Sequence, residues 1–426
     1  MAHSSSSPMA TFSDISQFVQ NSLHRFVPYY EEMLKNNQGI LTQKDVTDIQ
    51  KALEKWKLGE AASKIEEKLE AAEKASLNIA VMGEAGSGKF TFINAVRGLG
   101  DDEEGSAPTG VVETTMVPTP YQHPKFPNVT LWDLPGTETP NFQPEEYLKK
   151  VAFERYDFLI IIASEPFKSS SVDLAREIQR MEKKFYFVRT MTVEDPASAK
   201  EGKPGSSNEE SLPQLIRDDC LESLKKGSVS HPRVFLISSF DMGLYDFGDL
   251  EDTLVRELPA HQRHTLRLAL PSVTEEAIEK KKLTLQEKIG LEATKECLRA
   301  PFSGIFSPNN REELEKCLPH YRSLLGVDDA SLAKLAEREG REVRDLKAAL
   351  KSYDMETVLK NSDALPSLVN SVKEKIKTSL SCVSFFGNLL STIAISRTQI
   401  YTLQWHALDT VAEDAKLLLK KTQSTG

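Results

Sequence analysis

Short, almost wholly apolar runs alternate with amphipathic stretches through the middle of this chain. Leu77-Asn78-Ile79-Ala80-Val81-Met82 is one such run and Phe158-Leu159-Ile160-Ile161-Ile162-Ala163 another. The second is apolar at every position, as a strand covered on both faces must be. Runs at 77–82, 129–133, 157–163, 185–190 and 233–238 predict strands, and periodic stretches at 89–97, 144–154, 171–183, 208–226 and 248–257 predict helices. Regular alternation of this kind predicts a mostly parallel sheet with helices on its faces.

The strand pattern stops on both sides of this region. Residues 1–10 read as a disordered N-terminus, and 11–74 as a helical segment broken near Asn36-Asn37-Gln38-Gly39. Leu53, Trp56, Ala61 and Ile65 supply apolar positions there at helical spacing, with Glu-Lys pairs over the rest. Residues 196–211, rich in Ser, Gly, Pro and charge, read as a surface loop. Beyond them, 271–298 reads as one long helix opening at Pro271 and Ser272, with helices at 311–325, 330–338, 342–350 and 355–377 and a helical hairpin at 380–420. The expected layout is a central α/β domain at 75–258 and an all-α helical domain built from 11–74 and 259–422, with a tail at 423–426.

Composition narrows the function. The chain has 426 residues and a formal charge of −10, with 27% charged and 39% hydrophobic residues. That is the profile of a soluble two-domain protein with no general attraction to nucleic acid. Cys220, Cys297, Cys317 and Cys382 are scattered, which predicts neither a zinc site nor a disulfide framework and fits the cytoplasm. His123, His261 and His264 read as surface or loop residues without metal spacing. The first residues lack a basic region followed by an apolar core, and Ala2 replaces the glycine that myristoylation requires. The expectation is a protein neither secreted nor myristoylated.

The chemistry concentrates just after the first strand. Gly83-Glu84-Ala85-Gly86-Ser87-Gly88-Lys89-Phe90 follows the phosphate-binding pattern GxxxxGK[ST] up to its last position. Glycines let the backbone wrap a phosphate and aim N–H groups at it, and the following helix adds its positive end. Lys89 would reach the β- and γ-phosphates. Phe90 stands where a hydroxyl would coordinate Mg²⁺, and a phenyl ring cannot do so. Thr91 is a poor substitute, because one step along a helix turns the side chain by about 100°. The alternative reading is a Gly-rich turn that binds nothing.

A second element follows at the end of another strand. Val129-Thr130-Leu131-Trp132-Asp133-Leu134-Pro135-Gly136 ends in DxxG, where Asp133 would hold Mg²⁺ and Gly136 would sense the γ-phosphate. Together with Phe92-Ile93-Asn94-Ala95, Ala107-Pro108-Thr109-Gly110-Val111-Val112-Glu113-Thr114-Thr115-Met116 and Lys184-Phe185-Tyr186-Phe187-Val188-Arg189-Thr190, the chain resembles the interferon-inducible immunity-related GTPases (IRG proteins). Tyr245-Asp246-Phe247, Leu258-Pro259-Ala260-His261, Tyr321-Arg322 and Val411-Ala412-Glu413-Asp414-Ala415-Lys416 extend the likeness over residues 45–420.

That resemblance implies a dynamin-like protein with a Ras-like P-loop GTPase domain packed with a helical domain from both chain ends. It implies GTP and GDP as ligands, with Mg²⁺ weakly served because of Phe90. It implies assembly into homo- or hetero-oligomers with other family members, peripheral association with intracellular membranes, and a part in cell-autonomous innate defence. Lys89, Glu113 and Thr115 take catalytic roles by the same likeness, with Thr115 beside Asp133 as a metal contact. Residues 83–91, Asp133, Gly136, Thr190, Met191, Val193 and Ser239 form the nucleotide site, and Thr137 occupies the place of a water-orienting Gln.

The chain also departs from the family. After the Tyr186-Phe187-Val188-Arg189 stretch the family carries Thr-Lys-x-Asp, and this chain reads Thr190-Met191-Thr192-Val193. The carboxylate that would read guanine is Val193, and the lysine that would cover the base is Met191. Asp195 could compensate only through a shifted loop. Loss of a metal ligand and a base reader together predicts impaired nucleotide binding and hydrolysis. The alternatives are a non-catalytic pseudo-GTPase that regulates active relatives, and a binder of adenine or mixed nucleotides. Residues 378–396 carry no charge and read either as a buried helix or as an amphipathic membrane contact, and Lys280-Lys281-Lys282 reads as a solvated face.

Overall fold

In the computed structural model, residues 30–31, 34, 39–108, 117–137, 143–165, 168–191, 211–303, 310–360 and 393–423 are described. The expectation for 1–10 lies outside them, as do those for the loop at 196–211 and the uncharged stretch at 378–396 except for 211 and 393–396, which are helical. The chain forms two compact units, one of Lys74–Val273 and one of Met1–Glu73 with Thr274–Gly426.

The first unit holds a six-stranded sheet. Its strands are β1 (Leu77–Gly83), β2 (Thr119–Gln122), β3 (Val129–Asp133), β4 (Phe158–Ala163), β5 (Phe185–Thr190) and β6 (Val234–Ile237), in the order β2-β3-β1-β4-β5-β6. All pairings are parallel except β2 with β3, where Thr119 faces Asp133. The period of two sends alternate side chains to opposite faces. Leu77, Ile79 and Val81 of β1 join Phe158, Ile160 and Ile162 of β4 in one core. Ala80 and Met82 join Leu159, Ile161 and Ala163 in the other.

Helices α3 (Lys89–Val96), α7 (Phe247–Glu257) and α8 (Ala260–Ala269) cover the first face through Phe92, Ile93, Leu250, Leu254 and Leu266. Helices α4 (Pro144–Lys150), α5 (Ser169–Arg180) and α6 (Ser211–Lys226) cover the second through Leu148, Leu174, Ile178, Cys220 and Leu224. Two elements were not predicted. Strand β2 reads Thr-Pro-Tyr-Gln, half-exposed and containing a proline, which suits only a sheet edge. Helix α8 was hidden in a mixed charged stretch, and its His264 is buried rather than at the surface. The helix expected at 144–154 stops at Lys150, and a 3-10 turn at Phe153–Arg155 follows Ala152, which has a φ of 51°.

The second unit is helical. Helices α1 (Gln43–Glu54) and α2 (Leu58–Lys74) bury Val46, Ile49, Leu53, Ala61, Ile65 and Leu69 around Leu291 and Leu298 of α9 (Glu275–Ser303). Thr42 and Asp45 cap α1 reciprocally. Trp56 is not one of the buried positions; it sits between the helices at a φ of 60°, 38% exposed. The basic run is likewise not a solvated face: Lys281 is buried and donates to the Leu324 carbonyl at 3.2 Å.

Helices α10 (Asn310–Leu325), α11 (Asp329–Glu339), α12 (Val343–Ala348), α13 (Lys351–Lys360) and α14 (Ile393–Gln423) complete this unit. The far arm of the expected hairpin is α14; the near arm lies outside the described residues. Asp414 accepts the amides of Lys351 at 3.0 Å and Ser352 at 2.8 Å, capping α13. Arg322 stacks on Tyr353 at 3.8 Å and pairs with Glu356 at 2.6 Å. The Tyr-Arg and Glu-Asp-Ala-Lys stretches of the resemblance are therefore packing devices. Among the described residues no helix is long and apolar enough to cross a membrane.

Candidate nucleotide site

The carboxyl end of β1 runs directly into the glycine-rich loop and then α3. Gly83 has a φ of 156°, and a Cβ there would stand 2.2 Å from the Ile162 carbonyl oxygen of β4. Only glycine permits that approach. Gly86 and Gly88 have φ values of 73° and 87°, in the left-handed region that glycine enters at little cost. Gly88 also forms the N-cap of α3, so the helix begins beside the loop's amides.

The polar groups of the loop are enclosed. Ser87 is buried, and its hydroxyl has no hydrogen-bond partner among the described residues. Lys89 is buried, and its Nζ donates to the carbonyls of Gly83 at 2.9 Å and Glu84 at 2.8 Å. The lysine thus closes the loop on itself. Glu84 pairs outward with Lys168 at 2.5 Å. From the next strand, the Thr190 hydroxyl lies 3.1 Å from the Ser87 carbonyl and 3.2 Å from that of Ala163. Thr190, placed by sequence near the base, therefore stitches the loop to β4 and β5.

Phe90 is half-buried and turns away from the loop onto the first-face core. Its ring meets Tyr121 of β2 edge-on, with centroids 6.5 Å apart at 79°. Thr91 is also half-buried, one position further along α3. Asp133 is fully buried at the end of β3, level with Val81 of β1. Burial pushes the Tyr121 phenol up, the Asp133 charge adds to this, and Arg97 opposes it. After β3 the turn is pinned by the Leu134 amide on the Val81 carbonyl at 3.0 Å and by the Tyr147 hydroxyl on the Pro135 carbonyl at 2.7 Å. Gly136 is half-buried, and Thr137 is buried with a hydroxyl that lacks a partner among the described residues.

On the far side, Met191 is 3% exposed and packs in the second-face core, with its amide on the Ile237 carbonyl at 2.8 Å. Its side chain is spent on that core. Ser239, two residues past β6, has a buried hydroxyl without a partner among the described residues. Tyr245-Asp246-Phe247 has a structural explanation. Asp246 is held by Arg217 at 2.7 and 3.0 Å and accepts the Leu236 amide at 2.7 Å, and Phe247 is core. Glu113, Thr115 and Val193 lie outside the described residues.

Sequence reasoning did not single out Asn94 for its side chain. On α3, its amide donates to Asp101 at 2.9 Å and to the Ala107 carbonyl at 3.0 Å, and its carbonyl oxygen accepts the Ala107 amide at 2.7 Å. It fastens the start of the 107–116 stretch to the phosphate-loop helix. A lone amide on an otherwise apolar helix face is the signal that could have found it.

The loop fits an anion. Its left-handed glycines, the helix start, the enclosed lysine and the Ser87 hydroxyl, which has no partner among the described residues, all lie in one cradle. Asp133 offers oxygen, but Phe90 presents a ring, and that ring packs elsewhere. Among the described residues no three His, Cys, Asp or Glu groups come together to hold a metal by themselves.

The profile of the family described as Interferon-inducible GTPase (IIGP) matches residues 42–422. The chain is 42% identical over 403 residues to Interferon-gamma-inducible GTPase 10 of Mus musculus, covering 93% of this chain and 94% of that one. It is 41% identical over 387 residues to T-cell-specific guanine nucleotide triphosphate-binding protein 2 of Mus musculus, covering 90% and 91%. Interferon-inducible GTPase 1 of Mus musculus is 36% identical over 412 residues, covering 96% and 98%.

Proposed function

The chain belongs to the interferon-inducible GTPase family, and from that premise we propose that it binds a guanosine phosphate through an intact phosphate loop yet hydrolyses it poorly. One observation carries this reading. The loop at 83–89 is built for phosphate, while the next residue, Phe90, packs its ring on Tyr121 where a metal-binding hydroxyl belongs.

The roles follow from the geometry. The 83–89 backbone cradles the phosphates, and the Ser87 hydroxyl supplies a further donor. Lys89 leaves the carbonyls of Gly83 and Glu84 to neutralise phosphate charge. Asp133 would hold Mg²⁺, which would offset charge on the β- and γ-oxygens. Glu113 and Thr115 keep their proposed switch roles, and Thr137 presents a hydroxyl too short for the reach of a glutamine. Poor metal retention weakens turnover more than binding.

The wider reading is assembly with other family members at intracellular membranes in interferon-induced defence. The protein is cytoplasmic and peripheral there. The Phe90 packing also favours the second reading, a pseudo-GTPase that joins active relatives and regulates them. The unit holding the sheet serves as the G domain, with helices from both chain ends as its partner domain.

The test is fluorescent GTP binding to purified protein with Mg²⁺ and with chelator, followed by GTP turnover against protein concentration. The expected result is binding nearly indifferent to chelator and turnover that does not rise with concentration. Strongly Mg²⁺-dependent binding with concentration-activated turnover would overturn the proposal.

A further inference from the structure

Phe90 lies in the first turn of α3, and Arg97 forms the helix's C-cap about two turns later on the same face. Both meet one ring. Phe90 touches Tyr121 of β2 edge-on, with centroids 6.5 Å apart, and the Arg97 guanidinium lies over that ring 5.6 Å from its centroid. A cation this near an aromatic face is attracted to it. Tyr121 is half-buried and is thus gripped from both ends of α3.

Arg97 holds more than the ring. Its Nε donates to the Gln122 carbonyl at 3.0 Å, and its Nη2 donates to the Gly105 carbonyl at 2.9 Å. It is 6% exposed and forms no ion pair among the described residues. Burying a guanidinium without a carboxylate is costly, and burial works against its charge. The two carbonyls and the ring are what offset that cost.

The grip joins two elements of the candidate site. Strand β2 pairs with β3, with Thr119 opposite Asp133 and Tyr121 opposite Leu131. Lys89 opens α3, and Asp133 ends β3. Tyr121 therefore links the helix of the phosphate lysine to the strand of the buried carboxylate. Phe90 directly follows Lys89, so the grip acts at the helix start. There Gly88 is the N-cap, and its carbonyl accepts the Phe92 amide at 2.9 Å.

We propose that Tyr121, gripped by Phe90 and Arg97, is a positioning residue of the phosphate loop. Its ring fixes the first turn of α3 against β2, and with it the direction that Lys89 and the loop amides present to a phosphate chain. This rests on the phosphate-loop reading above and deepens it: position 90 acts on the site through Tyr121 rather than through a ligand atom. A loop that holds its binding shape only part of the time binds more weakly by that fraction. If release of the ring leaves the shape held about a tenth of the time, anion binding weakens about tenfold.

The experiment measures calorimetric binding of inorganic tripolyphosphate to the full chain and to its Tyr121→Leu, Tyr121→Phe and Val255→Ala variants, each well below its melting temperature. Tripolyphosphate reads the loop without a base. Tyr121→Leu removes the ring, and Tyr121→Phe removes only the hydroxyl. Val255→Ala opens the same core from α7, outside the grip. The expected result is a roughly tenfold loss of affinity in Tyr121→Leu and wild-type affinity in Tyr121→Phe. Val255→Ala should melt lower and bind as wild type does. A Tyr121→Leu chain that melts lower yet binds tripolyphosphate at full strength would make the ring a packing contact and overturn the proposal. Equal losses in Tyr121→Leu and Val255→Ala would overturn it too, because any softening of the core would then act alike. So would a loss in Tyr121→Phe as large as in Tyr121→Leu, which would pass the role to the hydroxyl. A wild-type chain that binds no tripolyphosphate would instead overturn the phosphate-loop reading itself.

Discussion

Replacing Phe90 with serine should move stability and metal dependence in opposite directions. The ring is half-buried, and full burial of a phenyl group contributes about 1.5–3 kcal/mol. The part in contact with the first-face core is then worth about 1 kcal/mol, and the edge contact with Tyr121 adds roughly another 1 kcal/mol. Phe90→Ser therefore costs about 2 kcal/mol, or about 4–8 °C in melting temperature for a domain of this size. The same change puts a hydroxyl on α3 at the position next to Lys89. If that hydroxyl holds Mg²⁺, saturating GTP with Mg²⁺ at about 100 times Kd returns about 2.7 kcal/mol. The assay is thermal unfolding of wild type and variant, without ligand, with GTP and chelator, and with GTP and Mg²⁺. The expected pattern is a variant that melts lower alone and regains the difference only when Mg²⁺ accompanies GTP. A variant that melts no lower would show that the ring is not packed as described. A Mg²⁺ increment equal in wild type and variant would refute the assignment of position 90 to the metal.

Other outcomes follow from single side chains. Asp414→Ala removes both acceptors of the Lys351 and Ser352 amides in a buried place, so it should cost about 1–3 kcal/mol; an unchanged urea midpoint would contradict this. Burial works against ionisation of Asp45, but the Thr42 hydroxyl and amide and the Lys68 ammonium outweigh it and hold the carboxyl below its ordinary value. Its stabilisation is present above the ordinary aspartate pKa and fades as pH falls through the lowered native value. The stability gap between wild type and Asp45→Asn should therefore be full at neutral pH and close in acid, and a gap that widens in acid would refute it. Burial pushes the Cys220 thiol up to about 11, so Cys220 should resist alkylation at neutral pH in the native chain and react after unfolding, as read by peptide mass spectrometry; prompt labelling of the native chain would be the contrary result.

The elements with strong patterns were legible in the sequence. Strands at 77–82, 129–133 and 185–190 appear within a residue of their expected bounds because their apolar runs are bounded by turns. The phosphate loop was legible for a different reason. Its glycines are a local backbone requirement, seen as the φ values of Gly86 and Gly88 and the near contact of Gly83 with β4. Strand β2 was missed because Thr-Pro-Tyr-Gln has neither the apolar density nor the amides of an inner strand, and it becomes a strand only by pairing with β3. Helix α8 was missed because its buried Arg267 and His264 look like surface residues until the sheet lies beneath them.

By itself, then, the chain determined its alternating α/β core, its helical flanks, the phosphate-loop backbone and the identities at positions 90, 191 and 193. Those depend on periodicity and on φ, which are properties of neighbouring residues. Tertiary structure alone decided that the Phe90 ring lies on Tyr121, that Met191 is committed to the core, that Thr190 ties the loop to β4 and β5, and that Phe240 stands open. The direction a side chain takes is set by what distant strands place beside it, and that neighbourhood exists only once the sheet has closed its register.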